Sequence, residues 1–280
     1  MGSVCKKWRS FLKSKELITI RKLAGLLEEW LYVLTMDSDA KESHWEVLDC
    51  LGHKHQLLPP MPGPVKAEFG VVVLYGKLLV MAGYSVIDGT ASASADVYEY
   101  DSCLNSWRKL ASMNVARYEF ACAERVFAAL GGVALPVALG GNFMSWEEGQ
   151  ASPLAIQNLS TSTILKDALW CEIKNGCVMV TAHAMLGKRL FCMEWKNQRK
   201  LAIFSPEDNS WKMVPVPLTG SSSIGFRFGI LDGKLLLFSQ EMEPGYRTLL
   251  YDPDASPGSE WQTSEIKPSG LCLCCVTIKA

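Results

Sequence analysis

Ten cysteines and four histidines, at positions 44, 53, 55 and 183, are the side chains in this 280-residue chain best suited to chemistry. Cys50, His53 and His55 form a C-x2-H-x-H cluster, and thiolate and imidazole are the donors that zinc takes in a tetrahedral site. A fourth donor at ordinary spacing is missing nearby and Pro59-Pro60 follow, so the spacing predicts a solvated hairpin turn instead. Cys272, Cys274 and Cys275 alternate along an apolar run, the pattern of thiols packed in a sheet as small hydrophobes. His183 sits in the strand-like run Val180 to Met185, where a packed or loop-facing ring is predicted. The sequence contains no Gly-x-Ser-x-Gly elbow, phosphate-binding loop or His-Glu-x-x-His helix. It predicts no catalytic residue, no metal and no cofactor.

The elements that must hold these residues follow from the period of the apolar positions. Residues 3 to 28 have helical spacing: Val4, Trp8, Phe11 and Leu12 share a face, and Leu23, Leu26 and Leu27 form a second apolar set. The pattern predicts that Trp8 and Phe11 dock this helix on Leu23 and Leu27. From Trp30 onward the chain becomes short apolar runs separated by turn residues such as Asp88-Gly89, Pro206 to Asn209, Asp232-Gly233 and Asp252 to Asp254. Three of these runs open the same cassette. Gly76-Lys77 leads into Leu78 to Met81, Tyr100-Asp101 and Trp107; Gly187-Lys188 into Leu190 to Met193, Phe204 and Trp211; Gly233-Lys234 into Leu235 to Phe238, Tyr251-Asp252-Pro253 and Trp261.

The last two Gly-Lys marks lie 46 residues apart, in the range of propeller and solenoid repeats. A cassette of about 45 residues supplies about four strands, and one such sheet hides neither face alone; radial arrangement of several covers both. The run Leu271 to Ile278 is predicted to pair with the sheet from Trp30 to Leu58, clasping the two chain ends.

Composition narrows the partners. With 49% hydrophobic residues the chain can bury a large core, and a net charge of −1 without a long basic run argues against nucleic acid or a membrane surface as partner. The opening MGSVCKKWRS lacks the apolar stretch of a secretion signal, and the scattered cysteines fit reduced thiols. An intracellular protein, cytoplasmic or nuclear, is expected.

Met81-Ala82-Gly83, Tyr98-Glu99-Tyr100-Asp101 with Trp107, and Tyr251-Asp252-Pro253 resemble the marks of kelch repeats, and Ser3 to Arg9 resembles the closing helix of an F-box. The chain is thus similar to plant F-box/kelch-repeat proteins over about residues 3 to 126 and 170 to 280. The resemblance implies an all-β, kelch-type β-propeller, its ring incomplete or distorted, over residues 29–280, after a short helical F-box remnant over 1–28. It implies a non-enzymatic substrate receptor of an SCF-type cullin–RING ubiquitin ligase, whose propeller loops hold a target protein and whose F-box binds the Skp-family adaptor of the cullin complex. Adaptor contact would then fall to Val4, Cys5, Trp8, Phe11 and Leu12, and the repeat frame to Gly76, Gly83, Tyr100, Trp107, Gly187, Phe204, Trp211, Gly233, Tyr251 and Trp261. Arg117, Lys196, Arg199 and Arg227 are candidates for loops that read the target. The alternatives are a kelch scaffold without a ubiquitin role and a non-functional splice or gene-model variant.

Two departures from the family pattern bear on the ring. Ala82 stands where the family has the first glycine of a pair, and residues 127–169 lose the aromatic punctuation. A permitted coding string for Gly140 to Gln150, read one base earlier, gives Gly-Lys-Leu-Tyr-Val-Met-Gly-Gly-Arg. This segment therefore reads as out of frame, against a natural linker or a divergent blade, and it is expected to lack strand periodicity. Spacing from Gly76 also implies that roughly 27 or more residues are missing near Glu124 to Phe127.

Overall fold

The computed structural model describes residues 5–12, 14–37, 42–64, 66–74, 76–87, 90–118, 121–123, 126–130, 137–139, 142–146, 157–158, 162–166, 169–173, 178–194, 199–205, 207–217, 225–239 and 248–279. The N-terminal stretch forms two helices, α1 (Lys6–Leu12) and α2 (Lys15–Leu23). Ser14 separates them because its extended backbone and its hydroxyl, which accepts from the Leu17 N–H at 3.4 Å, make it an N-cap.

The rest is strand. The first blade takes β1 (Glu29–Met36), β2 (Ser43–Leu48) and β3 (Lys54–Leu57); the second takes β4 (Gly70–Leu74), β5 (Lys77–Met81), β8 (Val97–Asp101) and β9 (Ser106–Lys109), with a hairpin of β6 (Tyr84–Ile87) and β7 (Thr90–Ala93) inserted between β5 and β8. Among the described residues the third has two strands, β10 (Ala121–Ala123) and β11 (Val126–Leu130). The fourth contains β12 (Val137–Leu139), β13 (Asn142–Trp146), β15 (Ser162–Lys166) and β16 (Leu169–Ile173). Between β13 and β15, β14 (Gln157–Asn158) crosses to pair with β17 (Val178–Leu186), which is followed in the fifth blade by β18 (Arg189–Glu194), β19 (Lys200–Ser205) and β20 (Ser210–Pro215). The sixth holds β21 (Phe226–Leu231), β22 (Lys234–Ser239), β23 (Thr248–Tyr251) and β24 (Trp261–Ser264). β25 (Leu271–Lys279) then returns to pair antiparallel with β1, from Glu29↔Lys279 to Met36↔Leu271, so the ring is clasped where the sequence predicts.

Blade stacking explains the apolar runs. Leu78 to Met81 and Leu235 to Phe238 are buried on both faces because each blade lies between two others, whereas the outer strand β20 is mostly exposed. Buried clusters join blade 1 to blade 2 through Tyr32, Leu78 and Tyr100, and blade 5 to blade 6 through Phe191, Leu237 and Tyr251. A third cluster closes blade 6 on blade 1 through Leu231, Leu236, Leu31 and Cys272.

Two expectations change here. Residues 137–173 contain a four-stranded antiparallel sheet where no strand periodicity is expected from the sequence, because ladder hydrogen bonds need only backbone groups. The N-terminal docking differs too. Trp8 stacks edge-to-face on Phe11 at 5.8 Å, but Trp8 is 55% and Leu23 84% exposed, so Leu23 is not its seat. Ser14 breaks the stretch before one continuous helical face can form.

Candidate functional site

The repeat marks are the frame on which any site must stand, and the register explains each. Tyr100 pairs with Trp107, Phe204 with Trp211 and Tyr251 with Trp261 across the two outer strands of three blades, with ring centroids 5.2, 5.1 and 4.9 Å apart. Tyr32 lies 6.1 Å from Tyr100, and Phe191 lies 6.0 Å from Tyr251, so the same aromatics join neighbouring blades. The Trp107 indole donates to the Pro59 carbonyl of blade 1 at 2.8 Å.

The lysine of the mark has its own partner. Lys77 opens β5 and meets Asp101 at 2.9 Å, as Lys234 opens β22 and meets Asp252 at 3.1 Å. The third Gly-Lys is displaced by one residue: Leu186 pairs with Arg189, so Lys188 lies in the turn and reaches the exposed Glu207, at 3.5 Å. Gly76, Gly187 and Gly233 all take positive φ, of 73°, 61° and 71°, as these hairpin turns require.

Ala82 and Gly83 carry the chain from β5 into the inserted hairpin of blade 2. Ala82 is held at φ 60° while fully buried, in a conformation that glycine adopts more cheaply. A Cβ on Gly83, at φ 83°, would lie 2.7 Å from the Ala67 carbonyl oxygen. The backbone there carries the inserted hairpin back over residues 67–69 through the Ala67↔Tyr84 bridge.

Residues 67–69 belong to the wall of a cavity of about 750 Å³ at one end of the ring's central channel. Its wall is built from inner strands and the segments beside them: His183 lies in β17, Arg227 in β21 and Cys274 in β25, while Phe69 precedes β4 and Met36 ends β1, the strand next to β25. The wall is mixed. Met36, Phe69 and Phe228 give apolar surface, while Lys66, Arg227, Glu42 and Glu68 carry charge. Lys66 is almost wholly buried; its ammonium donates to Ser94 Oγ at 2.8 Å and to Asp96 Oδ2 at 3.2 Å, 5.1 Å above the Tyr98 ring. Asp96 also meets Lys109 at 2.7 Å, and these two ammonium groups, Lys109 first, hold its carboxyl down to about 2. The His183 ring opens onto the channel yet protein surrounds it, and lost hydration pushes its pKa below the ordinary imidazole range. Burial likewise pushes the Cys272 and Cys275 thiols up.

The other candidates fall elsewhere. Asp49 caps the Cys50–His55 turn by accepting from the N–H groups of Leu51 and His53, and the His55 ring sits 4.7 Å from Trp30. Cys272 is buried between blades, and the β-bulge opposite Leu34 and Thr35 breaks the predicted alternation of the three thiols. Of the three loop candidates among the described residues, Arg227 alone lines the cavity, from a position in β21. Arg117 lies in the loop after β9, Arg199 is exposed ahead of β19, and Lys196 lies outside the described residues. Val4 and the turn Asp88-Gly89 also lie outside them, whereas Cys5 is exposed beside α1.

Sequence reasoning passed over two signals. Asn-Ser-Trp occurs twice, at 105–107 and 209–211, and both asparagines take φ 50° to turn the chain into the outer strand; Asn105 also accepts from the Tyr100 hydroxyl at 2.8 Å. Gly131-Gly132 follow β11 just as Ala82-Gly83 follow β5, which marks β11 as a second strand.

Radial four-stranded sheets, a strand clasp joining the chain ends and repeated Tyr–Trp pairs define a kelch-type β-propeller. A family model described as Kelch motif matches residues 66–114, which contain blade 2. The chain is 52% identical to the F-box/kelch-repeat protein At1g67480 of Arabidopsis thaliana, covering 100% of this chain and 84% of that one. It is 36% identical to the putative F-box/kelch-repeat protein At1g27420 of the same plant, covering 99% and 90%. A more remote match is the N-acetylneuraminate epimerase of Yersinia pestis (strain Pestoides F), 26% identical over 85% of this chain and 56% of that one. The chain belongs to the F-box/kelch-repeat family. The first match spans 314 aligned positions against 280 residues here, so at least 34 positions face no residue of this chain.

Proposed function

We propose that this protein is a non-enzymatic target receptor of an SCF-type cullin–RING ubiquitin ligase, working in the cytosol or nucleus. What supports this reading is that the helices and the cavity lie toward opposite ends of one strand. β1 begins at Glu29, directly after the helices, at the end where the Asp232 N–H donates to Glu29 Oε2 at 2.6 Å; it finishes at Met36, in the cavity wall. The exposed Trp8 and the helical face beside it would take the Skp-family adaptor, while the Arg227 rim would take a loop of the target. A rigid ring between the two would hold a target at a fixed distance from the ligase.

Co-purification tests the reading directly. The chain, expressed with a Skp-family adaptor, is expected to retain it, and Trp8→Ser is expected to release it without altering the fold. Arg227→Glu is expected to keep the adaptor while losing captured target. A chain that holds targets but never the adaptor would be a kelch scaffold without a ubiquitin role.

A further inference from the structure

The mouth of the channel is polarised. Glu42, ahead of β2 in blade 1, and Glu68, ahead of β4 in blade 2, both line the cavity and are exposed. Arg227 lines it from β21 in blade 6. β25 touches both β21 and β4, so it parts Arg227 from Glu68, and its cavity residues Leu273 to Val276 bring no charge. Lys66 does not upset that balance: its side chain is 2% exposed, and its ammonium donates to Ser94 and Asp96.

Other groups in the wall are neutral. Lost hydration favours the uncharged His183 imidazole, which offers one donor and one acceptor. Met36, Phe69 and Phe228 give apolar surface. The volume of about 750 Å³ falls among pockets that enclose a ligand, about 300–1,000 Å³. Because the cavity lies at the end of the channel, a loop can enter and leave it without a chain end passing through the ring. A tract of one sign is drawn to one side of this mouth and repelled by the other, whereas a segment that carries both signs is drawn to each.

We propose that the cavity selects a target loop of mixed charge, with a basic side chain toward Glu42 and Glu68, an acidic one toward Arg227, and a large apolar one between them against Phe69 and Phe228. This rests on the receptor reading above and names the chemistry of its target. The two kinds of contact act differently. Exposed charges at the mouth are screened by water, so they set which loop enters. The apolar side chain leaves water for aromatic surface and supplies most of the affinity.

The test is fluorescence anisotropy of the full chain with short capped peptides, Lys-Ser-Leu-Ser-Glu and its reverse. One of the two orders is expected to bind. Replacing its lysine or its glutamate by glutamine is expected to weaken binding about fivefold in each case, and replacing its leucine by serine about tenfold. Arg227→Ala is expected to abolish the difference between the glutamate peptide and its glutamine form while keeping that between the lysine peptide and its glutamine form. Glu42→Gln with Glu68→Gln is expected to do the reverse. Equal weakening of all peptides by Arg227→Ala overturns the proposal, as does binding of neither order or a preference for an all-acidic or all-basic peptide. Free leucine that binds as tightly as the peptide also overturns it, since the cavity would then be a small-molecule site. If Arg227→Ala fails to fold, the paired glutamate substitutions decide alone, because both residues are exposed. Adaptor retention is read separately. A chain that retains the adaptor but binds neither peptide keeps the receptor reading and overturns this one; a chain that binds the peptide but never the adaptor supports the mixed-charge site and overturns the ligase role.

Discussion

Blades 2 and 3 are neighbours built on the same plan, one with four strands and the other with two. Both place an inner strand beside the channel and a second strand outside it, and in the sequence Ala82-Gly83 follow that second strand in one case and Gly131-Gly132 in the other. Only blade 2 goes on to β8 and β9, and with them it gains the Tyr100–Trp107 pair, the indole bond to Pro59 and an ion-pair ladder in which Glu99 meets Lys77 at 2.8 Å and Arg108 at 2.7 Å. The inner half of a blade joins the ring, while the outer half seals the blade and ties it to its neighbour.

The largest test of that division is Tyr100→Ala, which strips blade 2 of its outer anchor. Tyr100 is fully buried between Tyr32 and Trp107, so a loss of about 3–5 kcal/mol is expected in denaturant unfolding. A loss below about 1 kcal/mol would mean that the inner strands carry the ring alone. Gly83→Ala attacks the junction between the halves, where both the positive φ and the Ala67 carbonyl oppose a Cβ; about 2–4 kcal/mol should be lost, read from the same unfolding curve. Ala82→Gly should act in the opposite direction and gain about 1 kcal/mol, since Ala82 is held in a left-handed conformation. No gain would show that the buried methyl offsets the strain.

The smallest effect concerns pH. Asp96 is depressed to about 2 in the folded chain from an ordinary 3.8, so the stability it contributes is present above pH 4 and is lost as pH falls toward 2. Asp96→Asn removes both ammonium partners' charge pairing, and its stability should therefore change less than that of the native chain over that window. Parallel acid limbs for the two proteins would assign the acid sensitivity to other carboxylates.

Most of the fold can be read from residue order because it rests on local rules. Apolar runs such as Leu235 to Phe238 announce strands buried on both faces, and Asp232-Gly233 announces the turn between two of them. The Leu271 to Ile278 clasp is legible as well, because one unpaired strand at each chain end requires a partner. The site is far less legible. Met36, Phe69, His183, Arg227 and Cys274 stand far apart in the chain, and each occupies an ordinary strand or loop position in its own blade.

Sequence alone, through spacing and residue type, determined most of the strands and turns, the aromatic marks of each cassette and the family resemblance. Tertiary structure alone decided that Lys188 falls in a turn while Lys77 and Lys234 open strands, that residues 137–173 form a sheet, and that Trp8 stays exposed. It also decided which inner strands meet around the channel. Those outcomes depend on register and on neighbours distant in the chain, and a one-residue shift in register changes the partner of every side chain without changing the local pattern.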